Sequence, residues 1–186
     1  AWRGEVARLA HQYGKSGTEV ADALFFIASS GFTGKKAIDV LDAAVRGSIS
    51  GLGDAKTIAD AVTSALNAYA GSNLTAEAAV DAMVEAVRQG KMEASDLAGV
   101  MSNVLPLAAK LGISFQDVAG ILAVMSRTGA SARDAASSVR SFMSVLLKPS
   151  KQARETLESL GLSVEELKET IKRPGGLLEA MRSLAQ

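Results

Sequence analysis

The stretch LGISFQDVAGILAVMSRTGASARDAASSVRSFMSVLLKPS, from Leu111 to Ser150, decides the fold class. Two turn phrases divide it, LGIS at Leu111–Ser114 and TGAS at Thr128–Ser131, and a third, LKPS, closes it at Pro149 and Ser150. Between them lie short helical segments built from Ala, Ser and Gly, with few large apolar side chains and no evident reactive group. Each turn phrase ends in a serine whose hydroxyl can accept from the free amide groups at the start of a helix.

The same grammar runs outward in both directions. Helical periodicity is visible almost everywhere, while alternating apolar and polar residues bounded by turn residues are missing, so an all-α protein is expected. Thr18, Thr33, Asp54, Thr75, Ser95, Ser114, Ser131, Ser150 and Ser163 each stand where a side-chain oxygen can open a helix. An acid follows at the third position in three cases, Asp117, Asp134 and Glu166; Ser163-Val-Glu-Glu is a capping box, and the Asp versions favour the positive helix end. Gly31, Gly71, Gly90, Gly112, Gly129 and Gly161 fall just past periodic segments, where a left-handed residue ends a helix at low cost.

From Thr33 onward the starts recur about every twenty residues, an interval that suits an α-solenoid of short hairpins. The side chains do not repeat with that period, so the expected architecture is an irregular bundle of short helices joined by Gly/Ser/Thr-capped turns. A sustained coiled coil is excluded by the glycine breaks. Apolar stripes mark the buried faces: Ile58, Val62, Ala65, Leu66 and Tyr69 in one helix, and Val80, Met83, Val84 and Val87 in the next. Pro106 is expected to kink or divide its helix. After Pro149 the chain becomes charged and Glu-rich, and Pro174-Gly175-Gly176 breaks it before a last amphipathic piece. The organisation expected is a helical core over 1–149 and a charged helical subdomain or arm over 150–186.

Composition bounds the function. With 186 residues the chain suits one ordinary domain that buries about two-thirds of its unfolded surface. Much of its 48% hydrophobic content is Ala, so a thin core with closely approaching helices is expected. Lys plus Arg and Asp plus Glu number 20 each, and without a basic field nucleic acid is not an expected partner. The absence of Cys removes disulfides and thiolate zinc sites. No run is long and apolar enough to cross a bilayer, and the start does not resemble a signal peptide. The sequence opens on Ala-Trp and closes at Gln186 within a helical pattern, as expected of a piece of a longer polypeptide.

No chemistry-bearing constellation emerges. His11 has no second imidazole and no HExxH or HxE context, so it reads as a surface or partly packed helix residue. Glycoside hydrolysis needs two carboxylates across a cleft lined by rings, whereas only eight residues are aromatic and Glu165-Glu166 fits solvated helix-start charge. SSGFTGKKA fails as a phosphate loop, because Lys36 stands where Ser or Thr is needed and Ser29 where the first Gly is needed. GSISGLGDA, Gly47 to Ala55, follows a helix instead of a strand and reads as a helix–loop–helix corner capped by Asp54. The small pairs Ala132 with Ala136 and Ser137 with Ser141 fit close helix contacts in water; Arg133 and Arg140 beside them are costly in lipid. No catalytic, cofactor-binding or metal-binding residue is expected.

Three stretches carry a family resemblance: AVRGSISGLGDAKTIADAVTSALNAYA (Ala44–Ala70), LTAEAAVDAMVEAVRQGKMEASDLAGVMSNVLPLAAKLGISFQDVAGILAVMS (Leu74–Ser126) and TGASARDAASSVRSFMSVLLKPSKQARETLESLGLS (Thr128–Ser163). The ordered series of a GLGDA corner, VRQGKMEASDLAG, LGISFQDVAG, an Ala/Ser-rich helix and LLKPS resembles the central helical region of bacteriophage tail tape measure proteins. The resemblance implies a non-enzymatic structural protein that lies along the lumen of the tail tube, sets tail length, scaffolds assembly of the tube and leaves before the DNA at ejection. Its implied partners are the tail tube protein, tail assembly chaperones and tail tip or baseplate proteins, with a homo-oligomer, trimer or hexamer, in the tail. The resemblance further implies no cofactor, no specific nucleic acid, membrane contact confined to ejection, and residence in the virion after assembly in the host cytoplasm. The alternative reading is a membrane-active helical module or a peptidoglycan-hydrolase-associated segment aiding genome delivery. A continuous helical ruler advances about 1.5 Å per residue. The glycine breaks therefore favour a folded station over an extended measuring rod.

Overall fold

The computed structural model describes residues 2–184. Eleven helices and no strand occur among them, which bears out the all-α expectation. They are α1 (Trp2–Tyr13), α2 (Gly17–Ser29), α3 (Gly34–Ile49), α4 (Ala55–Ala68), α5 (Ala76–Gln89), α6 (Ala94–Leu111), α7 (Phe115–Arg127), α8 (Ala132–Leu147), α9 (Lys151–Ser159), α10 (Val164–Thr170) and α11 (Gly176–Ser183).

The caps explain most boundaries. Asp54, Thr75, Ser114, Ser131, Ser150 and Ser163 each accept from the backbone N–H three residues on, satisfying a donor that the first turn leaves free. Thr33 occupies the cap position of α3 without a side-chain bond. Two expected starts move. Ser16, not Thr18, caps α2 by accepting from Glu19 N at 3.1 Å, because Thr18 already lies in the first helical turn. Glu93, not Ser95, precedes α6, and there the burial of Ala94 and Leu97 holds the start without a side-chain cap. Among the expected stops, Gly31, Gly112, Gly129 and Gly161 are left-handed; Gly71 is not, and Gly90 is extended, with φ −89°.

Gly90 answers a different need. A Cβ there would stand 2.8 Å from Ser126 Oγ and 2.9 Å from the Ala86 carbonyl oxygen, so the residue must be small for the loop after α5 to lie against α7. Helix α6 runs unbroken through Pro106, so the chain does not divide there. Pro106 is exposed and Ser102, four residues earlier, is half-buried, so the proline lies on the outer side of the helix, where its ring displaces no core contact.

The bundle has an order that intervals of one helix conceal. Alternate helices stack: α2, α4, α6 and α8 form one row, α1, α3, α5 and α7 a second, and consecutive helices pack across between the rows. First-row helices begin at Gly17, Ala55, Ala94 and Ala132, steps of 38, 39 and 38 residues. The fourth and eighth residues after each first-row cap are Val20 and Leu24, Ile58 and Val62, Leu97 and Met101, Ala135 and Val139, and all are buried. Phe32, Leu74 and Ile113 stand immediately before the second-row caps Thr33, Thr75 and Ser114, in the position of a hydrophobic staple. The repeating unit is thus a helix pair. A comparison at one-helix spacing matches members of different rows, which have different side chains.

The charged tail shares this core. Helix α10 packs on α8 and α11 on α7, so both rows gain one further member. Leu157, Val164, Leu167, Ile171, Leu177 and Ala180 join the same hydrophobic cluster. The Pro-Gly-Gly break is sterically required: Gly175 is left-handed with φ +74°, and a Cβ on Gly176 would overlap the Thr170 carbonyl oxygen at 1.8 Å.

Candidate functional site

The residues with chemical potential are dispersed. His11 is exposed in the last turn of α1. Glu166 opens α10 through its N–H to Ser163 Oγ, and Glu165 carries an exposed ion pair to Arg154 at 3.6 Å. Lys35, beside Gly34 at the start of α3, binds Asp39 one turn on at 2.8 Å. Gly51 and Gly53 turn the corner before Asp54 with positive φ. No group of three or more His, Cys, Asp or Glu residues capable of holding a metal occurs among the described residues. None of their helices is long and apolar enough to cross a membrane.

Polar contacts are spent on fastening helices. Tyr13 donates to Asp42 at 3.1 Å, tying α1 to α3, and burial with that bond pushes the phenol up. Arg46 on α3 donates to Glu77 at 2.9 Å and lies 3.5 Å from Asp81, both on α5. The bond to Glu77 holds the guanidinium above its ordinary value. Tyr69, after α4, donates to the Ile113 carbonyl at 2.8 Å and meets Phe115 edge-on at 6.5 Å, crossing from one row to the other. Burial, with the nearby Asp117 charge, raises its phenol. Ser126, buried on α7, donates to the Ala123 carbonyl at 2.7 Å and accepts from Lys91 N at 2.8 Å. No buried side-chain N or O among the described residues lacks a partner.

Between α6 and α8 lies an open groove of about 710 Å³, lined by Ser95, Asp96, Asn103, Arg133, Ser137 and Arg140 with small apolar neighbours. Nothing in it combines a nucleophile with a base, so it offers a polar surface and no reaction. It also reveals the polarity of the row. Residues three, seven and ten past the cap of α6, Asp96, Val100 and Asn103, face residues one, five and nine past the cap of α8, Ala132, Ala136 and Arg140. The small pair Ala132 and Ala136 is therefore buried on the side toward α6, as its spacing suggested, whereas Ser137 and Ser141 are exposed. Equivalent small pairs stand on the other first-row helices: Gly17 and Ala21, Ala55 and Ala59, Ala94 and Ala98. Small side chains at this spacing let helix axes approach closely.

Comparison with known proteins gives this architecture a relation. The model of the family described as "Phage-related minor tail protein" matches residues 4–186. A relative called "Tape measure protein", from Pneumococcus phage Dp-1, is 30% identical over 152 residues, which is 80% of this chain and 13% of that protein. No solved structure matches the chain. The chain thus spans a small part of that relative's length, and the family match covers nearly all of the chain: it belongs to the phage-related minor tail proteins.

Proposed function

We propose that the chain is a folded station of a tape measure protein, one that determines tail length, scaffolds polymerisation of the tail tube and leaves the tube at DNA ejection. The observation that carries this reading is the 30% identity to the tape measure protein of phage Dp-1 across 80% of the chain. The dispersal of the chemical groups supports a non-enzymatic role, since the polar side chains join helices to one another instead of converging on a cleft. In this reading the partners are the tail tube protein, the tail assembly chaperones and the tail tip or baseplate proteins. The protein acts as a trimer or hexamer in the tube lumen, reached from the host cytoplasm during assembly. In this reading residues 1–149 form the helical core of the station and 150–186 a charged helical subdomain or arm packed on it.

The ruler role is tested on virions. In-frame deletions and duplications in the parent gene should shift tail length in proportion to the residues removed or added, measured by electron microscopy. Tails of unchanged length after a large deletion would refute the role.

A further inference from the structure

Phe25 is the most exposed large apolar side chain among the described residues, at 76%, and it stands at the centre of α2. Its place in the row explains what that exposure means. It is the ninth residue after its cap, the position of Arg140 on α8, whose side there faces the preceding row member α6 across the groove. On α4 the ninth residue, Thr63, is 2% exposed, on α6 Ser102 is half-buried and on α8 the long Arg140 reaches solvent, so the short fifth residue reads the contact more directly. The fifth residue after the cap is alanine in all four helices. Ala59, Ala98 and Ala136 are 0%, 4% and 5% exposed, whereas Ala21 is exposed. Three copies of one interface are covered, and the fourth is open.

The second row has the matching gap. Helix α1 lies on α3 as α3 lies on α5, fastened by Tyr13 to Asp42 where the next step uses Arg46 to Glu77 and Asp81. Helices α3, α5 and α7 each pack against the first-row helix that precedes them in sequence, α2, α4 and α6. Helix α1 has no such partner, and the helix that would supply it has its place on α2, over Ala21 and Phe25. The opposite end of the row is finished differently. The residues three, seven and ten past the cap of α8 are Asp134, Ser138 and Ser141, all exposed and polar, and α10 packs on that helix without covering them.

We infer that the Gly17–Ala21–Phe25 face of α2 is the docking surface for one more amphipathic helix of the parent polypeptide, immediately upstream of Ala1, which forms a hairpin with α1 and continues the first row. The occupant is a helix with a small residue or a short polar residue where it meets Phe25 and buried apolar residues four and eight places after its own cap, because those are the positions that the row repeats. The inference concerns the architecture alone and is independent of the ruler role.

Hydroxyl-radical footprinting read by mass spectrometry tests it, comparing this chain with the full parent polypeptide. Oxidation of Phe25 should fall severalfold in the parent, while that of Trp2 serves as an internal comparison. Two substitutions extend the test. Phe25→Ala and Ala21→Glu should leave the melting temperature of this chain unchanged and lower that of the parent. Equal oxidation of Phe25 in both proteins would overturn the inference. So would protection of Phe25 in this chain alone that grows with concentration, because the face would then belong to a second copy.

Discussion

Ser126 Oγ accepts the amide hydrogen of Lys91 at 2.8 Å across 35 residues of sequence, and it is the buried oxygen that holds the α5–α6 loop against α7. The contact depends on Gly90, since a Cβ there would collide with the same hydroxyl at 2.8 Å. A serine inside a helical stripe thus acts as a joint between helices.

Removing that oxygen should be costly. Ser126→Ala removes the partner of the Lys91 N–H at a part-buried site and is expected to destabilise the protein by about 1 kcal/mol. Gly90→Ala forces the loop off α7 and is expected to cost about 1–3 kcal/mol. Urea unfolding of each variant and of the double variant checks this, and the double should cost less than the sum because both act on one joint.

The tail is held by a second long-range bond. Gly175 N donates to Asp117 Oδ1 at 2.8 Å, and Asp117 also takes the Ser114 hydroxyl on its other oxygen. Asp117→Ala should weaken docking of α11 on α7 by about 1 kcal/mol, with the half-buried site discounting the charge. Amide hydrogen exchange should accelerate in 176–184 and stay unchanged in α2 and α3. Uniform acceleration across the chain would refute a local role.

Acid should act through Asp54. Its carboxylate accepts from Thr57 Oγ1 at 2.6 Å and Thr57 N at 2.9 Å, and these bonds, the hydroxyl first, hold it below the ordinary aspartate value. A lowered folded-state value means that the unfolded chain binds the proton first. The stabilisation is therefore complete above about pH 4, the ordinary aspartate value, and is lost as pH falls through the folded value. Asp54→Asn should keep the cap at neutral pH within about 0.5 kcal/mol and flatten the acid limb of a thermal-stability profile.

The two-row order predicts a step length. Helices within a row lie roughly 10 Å apart, so removing one helix pair of 38 or 39 residues should shorten a compact station by about 10 Å. The same residues drawn out as one helix would span about 57–59 Å. Tail lengths from a phage whose parent gene lacks 54–92 would separate the two states.

Much of this was legible in the sequence where local chemistry decides. Six of the nine expected caps accept the expected amide, because Ser, Thr and Asp satisfy a first-turn donor whatever surrounds them. Thr18 misled because Ser16 offers the same chemistry two residues earlier, and Ser95 because burial of Leu97 sets that start without help from a cap. Gly90 was legible as a stop but not as a close approach, since nothing near it in sequence points to Ser126. The fasteners Arg46, Tyr69 and Ser126 stayed hidden for the same reason: each finds its partner 31 to 44 residues away. The order of the rows was missed because the interval tested was half the repeat.

A stack whose helices touch mainly their neighbours and next-but-one neighbours has a mechanical consequence. Load applied to its two ends passes along one elongated hydrophobic cluster through a series of similar joints, closed by small-residue contacts and polar fasteners. Such a body yields by peeling, one hairpin at a time from an end, because each unit is stabilised by its neighbours and little else. Each peeled pair releases contour from about 10 Å toward more than 100 Å of extended chain. Under tension the protein is a spring of discrete links, able to lengthen through a narrow passage in stages and to shorten again as the joints re-form.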